Sequence, residues 1–199
     1  MFFPSTVLRP TLVLALYAGL FAGAYPFQSA ASDACPSVSR DANAEQALIS
    51  ALQEAPDAGV ARSINADLWS LWTRAPDSHA QELLDSAMAR IRMGDLGNAM
   101  NALDALVAYC PSYAEGYNQR AFARYLARDF AAALEDIDVA LSYSPRHIGA
   151  LSGKALTLIG LGRDRAALTA LNQALSLNPW LSERALLGEL ERRLGARDL

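Results

Sequence analysis

Small, apolar and turn-forming residues recur along the chain at a fixed interval of 34 positions. The interval is marked by three prolines, Pro111, Pro145 and Pro179. Two phases of alanine and one phase of large apolar residues keep the same interval: Ala87, Ala121 and Ala155; Ala99, Ala133 and Ala167; Leu103, Ile137 and Leu171. Because Ala and Leu dominate and β-branched residues are sparse, each repeated unit is predicted to be a pair of packed helices.

Turn-forming residues fall between the predicted helices. Gly94-Asp95, Arg128-Asp129 and Gly162-Arg163-Asp164 each interrupt one helical pattern and can cap the next helix. Ser78-x-x-Gln81 and Ser112-x-x-Glu115 have the spacing of a capping box, in which two side chains satisfy backbone N–H groups at a helix start. We therefore expect Ser78 and Ser112 to open the first helices of two units.

In these features the chain resembles the tetratricopeptide repeat (TPR) family, whose unit is a helical hairpin with small residues at its eighth and twentieth positions and proline at its thirty-second. Three units fit, at residues 80–113, 114–147 and 148–181. Leu106, where the family usually has alanine, and Arg124, where it usually has an aromatic residue, depart from the pattern. The resemblance implies an all-α protein, a right-handed α-solenoid in which stacked hairpins bury one another's apolar faces.

Further helices are predicted on both sides of the three units. Residues 32–78 contain a degenerate hairpin, with one helix over Asp41 to Ala55 and a second over about Ala58 to Thr73. Residues 182–199 contain a single amphipathic helix, Ser182 to Leu194, whose charged outer face suits a cap on the last unit.

Residues 1–31 have the three-part pattern of a secretory signal peptide. Arg9 precedes an apolar run from Thr11 to Phe27, and Ser29-Ala30-Ala31 is the best cleavage site. Cleavage would release a periplasmic or secreted protein. The alternative is an uncleaved anchor in the inner membrane, since the apolar run is at the short edge of what spans a bilayer.

Two cysteines, Cys35 and Cys110, follow the cleavage site. In an oxidising compartment they could form a disulfide that ties the N-terminus to the middle of the domain. Two separate thiols, with Cys110 buried at a helix end, are the favoured expectation. Two cysteines alone do not make a zinc site, which needs about four ligands.

Charge and motif content narrow the function. The 199 residues include 17 basic and 21 acidic side chains and no basic block, which argues against nucleic-acid binding. No spacing typical of a Walker loop, a zinc protease or an EF-hand is present. The only histidines, His79 and His147, lie two repeat periods apart, too far to share a metal. We therefore expect no catalysis, no metal site and no cofactor.

Three arginines, Arg120, Arg124 and Arg128, form a row on the first helix of the middle unit. One hypothesis is a site for an anion or an acidic peptide. The favoured one is structural, because TPR units often pair the phases of Arg120 and Asp136 between their two helices.

The resemblance also implies where a partner would bind. TPR ligands usually lie along the concave face formed by the first helix of each hairpin. Among the matching positions here, the predicted contact residues are Leu84, Met88, Arg92, Asn118, Phe122, Tyr125, Ser152 and Leu156. Methionine and aromatic side chains suit an apolar peptide or helix. Of the polar residues with which some TPR domains clamp a peptide C-terminus, only Asn118 is present.

These observations predict an exported adaptor or scaffold that binds a protein partner, as a peptide or helix, on its concave face. Two alternatives stay open. One is an assembly subunit that the N-terminal segment anchors in the membrane. The other is a small-ligand binder or enzyme with a pocket between the hairpin that carries Trp69 and Trp72 and the repeats. Residues 32–75 could also fold over the concave face.

Overall fold

The computed structural model describes residues 34–38 and 41–197. Its regular elements are all helical, which confirms the predicted fold class: α1 (Ala42–Gln53), α2 (Ala58–Trp72), α3 (Ser78–Arg92), α4 (Leu96–Tyr109), α5 (Ala114–Leu126), α6 (Phe130–Tyr143), α7 (Ile148–Gly160), α8 (Asp164–Leu177), a 3₁₀ helix (Ser182–Leu186) and α9 (Leu187–Arg197). The predicted signal segment, residues 1–31, lies outside the described residues. Within the described ranges, no helix is long and apolar enough to cross a membrane.

The repeated alanines lie where the helices of each unit meet. The helices pair as α3 with α4, α5 with α6, and α7 with α8. The six alanines of the two predicted phases are at most 2% exposed: Ala87, Ala99, Ala121, Ala133, Ala155 and Ala167. Because alanine adds so little bulk, the paired helices approach closely, and the large apolar phase fills the remaining space.

The turns inside the three units share one backbone conformation. Gly94, Arg128 and Gly162 have φ values of 75°, 63° and 69°, in the left-handed region that favours glycine. In the first two units the next residue, Asp95 or Asp129, caps the following helix through its side chain. In the third unit the N-cap of α8 is Arg163, and no side chain caps the helix. The three predicted turns are therefore confirmed, but the predicted capping holds in the first two units only. The middle unit holds an arginine where the other two hold glycine.

The predicted helix-opening serines are wrong. The N-cap of α3 is Asp77, one residue before Ser78, and its carboxylate accepts a backbone N–H of the first turn at 2.8 Å. An ionised carboxylate is a stronger acceptor than a hydroxyl, so it fixes the start of the helix. Gln81 does reach back across the N-terminus, to a backbone N–H six residues earlier. The N-cap of α5 is Tyr113, not Ser112, and no side chain caps it.

Asp77 makes a pH-dependent contribution to stability. The N–H of Ala80, followed by the Tyr109 hydroxyl at 2.7 Å, holds the pKa of the Asp77 carboxyl below its usual value. A carboxyl with a lowered folded-state pKa stabilises the fold fully above its unfolded pKa of 3.8 and progressively less as the pH falls through the folded pKa. We expect Asp77→Asn to lower the Tm at pH 7 and this difference from the wild type to shrink steadily below about pH 4. Thermal melts across that range measure it; a difference independent of pH would contradict the assignment.

The N-terminal hairpin of α1 and α2 lies at the predicted residues but packs against the third unit. Its apolar face forms one cluster with the start of α7 and the residues that end and follow α8: Ile49, Leu52, Ala61, Leu68, Ile148, Leu177 and Leu181. Gln53 also donates to the backbone oxygen of Ser176 at 2.6 Å. The hairpin thus folds back along the array and bridges to its last unit.

A disulfide joins Cys35 to Cys110, in place of two separate thiols. Cys110 is fully buried at the C-cap of α4, and Val38 packs against the same core cluster. The bond closes a sequence separation of 75 residues that contains α1, α2, α3 and α4. The segment that leads into the hairpin is therefore tied covalently to the first unit.

The C-terminal segment differs from the predicted single helix. Residues 182–186 form a 3₁₀ helix, and α9 follows directly. The tighter turn places both Leu186 and Leu187 against the cluster that contains Leu190, which is 1% exposed. The segment still covers α8, and its predicted pair between Glu189 and Arg193 is confirmed, with a Glu189 Oε1 to Arg193 Nε distance of 2.8 Å.

Candidate functional site

A largely apolar cavity of about 310 Å³ lies on the face formed by the first helices of the three units, α3, α5 and α7. Residues of α2 and α6 complete it. The lining residues are Trp69, Met88, Ile91, Arg92, Asn118, Gln119, Ala121, Phe122, Tyr125, Ile137, Gly149, Gly153, Leu156 and Thr157. Six of the eight predicted contact residues come together here: Met88, Arg92, Asn118, Phe122, Tyr125 and Leu156.

The other two predicted contact residues, Leu84 and Ser152, do not line the cavity. Leu84 is fully buried in the core cluster that includes Cys110 and Tyr113. Ser152 is 8% exposed and donates to Glu183 of the C-terminal segment at 3.1 Å. Their helical positions match those of the other six, but packing by segments distant in sequence removes them from the surface.

The lining extends beyond the eight predicted contact residues. Trp69 comes from α2, outside the repeats, and is 38% exposed. The cavity is therefore bounded on one side by the N-terminal hairpin, where the small-ligand alternative expected a pocket. Gly149 and Gly153 lie one turn apart on α7, and both line the cavity. The glycine pair is visible in the sequence as G-x-x-x-G, whereas nothing local in the sequence places Trp69 beside α5.

The cavity has few polar side chains, and they differ in whether their hydrogen-bonding atoms have partners. Asn118 and Gln119 both donate to the buried carboxylate of Glu115, at 3.0 and 2.6 Å. Thr157 is 1% exposed, and its hydroxyl has no hydrogen-bond partner among the described residues. Arg92 is exposed and is the one charged residue among the described residues that line the cavity.

A buried network positions α2 beside the cavity. The ring of Trp72 stacks on His147 with 4.1 Å between ring centroids, and its Nε1 donates to Glu45 at 3.0 Å. His147 Nε2 lies 2.8 Å from a carboxylate oxygen of Glu115. The Tyr113 hydroxyl donates to the Trp72 backbone oxygen at 2.9 Å, and burial raises the pKa of this tyrosine. The end of α2, and with it Trp69, is thereby held against α5 and α7.

Two of the three arginines in the predicted row are engaged in structural pairing, and the third, Arg128, is an exposed residue of the turn before α6. Arg120 donates two hydrogen bonds to Asp136, at 2.9 and 2.7 Å, and Arg124 lies 2.9 Å from the same carboxylate. Arg120 also donates to Asp104 of the preceding unit at 2.8 Å. The pKa of Arg120 is raised above its usual value, chiefly by the hydrogen bonds to Asp136. The positive charges of Arg120 and Arg124 are therefore compensated by carboxylates within the fold.

The two histidines occupy separate positions, as predicted. His147 caps α7, and its Nδ1 accepts the N–H of Ala150 at 3.2 Å. His79 meets the ring of Tyr109 edge to face, with 4.8 Å between centroids. In the part of the chain that the structure describes, no group of three or more histidine, cysteine or acidic side chains could hold a metal ion.

Several solved structures are similar to this chain. They include the second TPR domain of human RPAP3 in complex with an HSP70 peptide (18% identity, covering 57% of this chain and 95% of that one, TM-score 0.54). The TPR2B domain of yeast Sti1 in complex with an Hsp70 peptide matches at 23% identity over 60% of this chain and 98% of that one, with a TM-score of 0.53. MamA from Desulfovibrio magneticus matches at 14% identity over 79% of this chain and 88% of that one, with a TM-score of 0.55. By sequence, neither a protein-family model nor a curated protein matches the chain.

Proposed function

We propose that this chain, which has the tetratricopeptide repeat fold, is an adaptor or scaffold that binds a peptide or short helix of a protein partner in the concave cavity. One observation carries the proposal: an apolar cavity of about 310 Å³ bordered by the exposed aromatic side chain of Phe122. Apolar surface concentrated at one concave place on a folded domain is typical of an interaction site.

The fold neighbours support a role in protein interaction. The RPAP3 and Sti1 domains are complexes with HSP70 peptides, so this arrangement of helices serves peptide binding in those proteins. At these low sequence identities, the similarity shows a shared fold and not a shared ligand. The binding site proposed for this chain therefore depends on the chain's own lining residues.

The shape of the site favours a protein segment over a small molecule. Small-molecule pockets bury most of their ligand's surface. Here Phe122 is 47% exposed, and Leu126, on the next turn of α5, is 43% exposed. The apolar surface thus continues outward from the cavity, as a segment with one deep side chain and several shallow contacts requires.

We also propose that the protein acts after export, in the periplasm or outside the cell. The disulfide between Cys35 and Cys110 supports this, because disulfides persist in oxidising compartments and are rare in the cytosol. The signal-peptide pattern of residues 1–31 supports the same route.

A selection from a random peptide display library tests the binding site. Peptides are selected on the oxidised protein alone, and the enriched peptides are synthesised. We expect them to bind the wild type and Trp180→Ala equally and to bind Phe122→Ala at least about tenfold more weakly. Trp180 is the matched control, because it is a large apolar side chain, 41% exposed, outside the lining of the cavity.

Circular dichroism verifies that both variants keep the wild-type helix content. Failure to enrich any peptide, or equal binding to Phe122→Ala, would contradict the proposed site.

A further inference from the structure

We propose that the segment bound in the cavity carries an acidic group close to its bulky apolar side chain, and that Arg92 pairs with this acid. The inference rests on the proposed function and adds to it the chemistry of the partner. It follows from the charge balance of the concave helices, which leaves one cation uncompensated at the edge of an apolar cavity.

Arg92 differs from the basic residue nearest to it in sequence. Both Arg90 and Arg92 lie in the last turn of α3. Arg90 pairs with Asp95, with 3.1 Å between Nη1 and a carboxylate oxygen. Arg92 is exposed and has no ion-pair partner among the residues that the structure describes. Its guanidinium group therefore has hydrogen-bond donors available for an external carboxylate.

The basic residues on the other two concave helices are compensated. Arg120 and Arg124 of α5 share Asp136, with N–O distances of 2.7 and 2.9 Å. Lys154 of α7 lies 2.6 Å from Asp138. Among the described Lys and Arg residues of α3, α5 and α7, Arg92 is therefore the one without an ion-pair partner. Because Arg92 lines the cavity, a negatively charged group bound there would pair with it.

The position of Arg92 fixes the kind of ligand. The interior of the cavity is apolar, with Ile91, Ile137 and Leu156 among its lining residues, and it accepts a bulky apolar side chain. A ligand with only an acidic group would leave this apolar surface exposed to water. A ligand with only apolar side chains would cover Arg92 without supplying a partner for its charge. A segment with both groups a few residues apart satisfies the two requirements, because an arginine–carboxylate pair adds directional hydrogen bonds to apolar contact.

Two lining amides can hold the backbone of the same segment. The side-chain NH₂ groups of Asn118 and Gln119 are directed to Glu115. The orientation of each amide is therefore set, and its oxygen remains an acceptor for a backbone N–H of the bound segment. Because Arg92 lies at the end of α3, the acid on the partner is expected there, on the side of the cavity away from Gly149 and Gly153 of α7.

The peptides obtained by display selection test the inference directly. We expect most of them to contain Asp or Glu at a preferred spacing from Phe, Trp, Leu or Met. Replacing that acid by its amide in a synthetic peptide should weaken binding about tenfold, and Arg92→Gln should have the same effect on the acidic peptide but none on the amide peptide. Arg92→Glu should reverse the preference, so that the peptide with Lys in place of the acid binds more tightly than the acidic one. Arg128→Gln, at an exposed residue outside the lining, is the control and should leave all affinities unchanged.

The possible failures can be distinguished. Peptides that depend on Phe122 but bind equally with acid or amide, and equally to the Arg92 variants, would overturn the inference and leave the proposed function intact. If no peptide is enriched, or if the selected peptides bind Phe122→Ala as tightly as the wild type, both fail. Concentration-dependent self-association that Phe122→Ala abolishes would identify a second copy as the occupant and would overturn the inference as well.

Discussion

Asp136→Ala is expected to lower the free energy of unfolding by about 3 kcal/mol. Asp136 is 3% exposed and accepts hydrogen bonds from Arg120 at 2.9 and 2.7 Å, while Arg124 lies 2.9 Å away. Its removal leaves two partly buried guanidinium groups without their shared counter-charge, and Arg120 keeps only the exposed Asp104 as a partner. Breaking a buried pair in this way costs more than losing a surface ion pair, because the remaining charges are only partly hydrated.

Asp138→Ala is the matched control for this prediction. Asp138 lies on the same helix, α6, and pairs with Lys154, but its side chain is 56% exposed. An exposed ion pair contributes at most about 1 kcal/mol, so urea unfolding should separate the two variants clearly. Equal losses for Asp136→Ala and Asp138→Ala would show that burial of the Asp136 cluster does not stabilise the fold.

Removal of the disulfide is the second large effect. We expect Cys35→Ser to lower the free energy of unfolding by about 2–4 kcal/mol and the Tm by roughly 10 °C. The bond closes a separation of 75 residues, which restricts the unfolded chain. Cys110 then remains as a fully buried thiol, which packs as a small apolar side chain.

A reductant supplies the control for this variant. Thermal melts with and without dithiothreitol should differ for the wild type and coincide for Cys35→Ser. If reduction leaves the Tm of the wild type unchanged, the bond does not stabilise the folded domain. If reduction also shifts the Tm of Cys35→Ser, the effect has a source other than this disulfide.

The repeats could be predicted because their determinants are local and periodic. A single interval relates Ala87, Ala121 and Ala155, and all three are at most 2% exposed in the structure. The pairing of Arg120 with Asp136 could be predicted for the same reason, since it joins two helices of one hairpin. Six cavity residues were identified through helical positions that recur from unit to unit.

The remaining features depend on contacts between segments far apart in the chain. Trp69 lines the cavity because α2 folds back onto the third unit, where Trp72 stacks on His147. Ser152 is removed from the site by Glu183 for a similar reason. The periodic pattern is degenerate before α3, so no recurrent position in the sequence specifies where the N-terminal hairpin packs.

Site-specific photocrosslinking in cells tests the central claim most directly. A photoreactive phenylalanine analogue replaces Phe122 in the cavity or Trp180 outside it, and crosslinked species are identified by mass spectrometry with the linked residues mapped. We predict crosslinks from position 122 to a segment of one partner protein, competed by the selected peptides, and none above background from position 180. Equal crosslinking at both positions, or none from position 122, would contradict binding of a partner in the concave cavity.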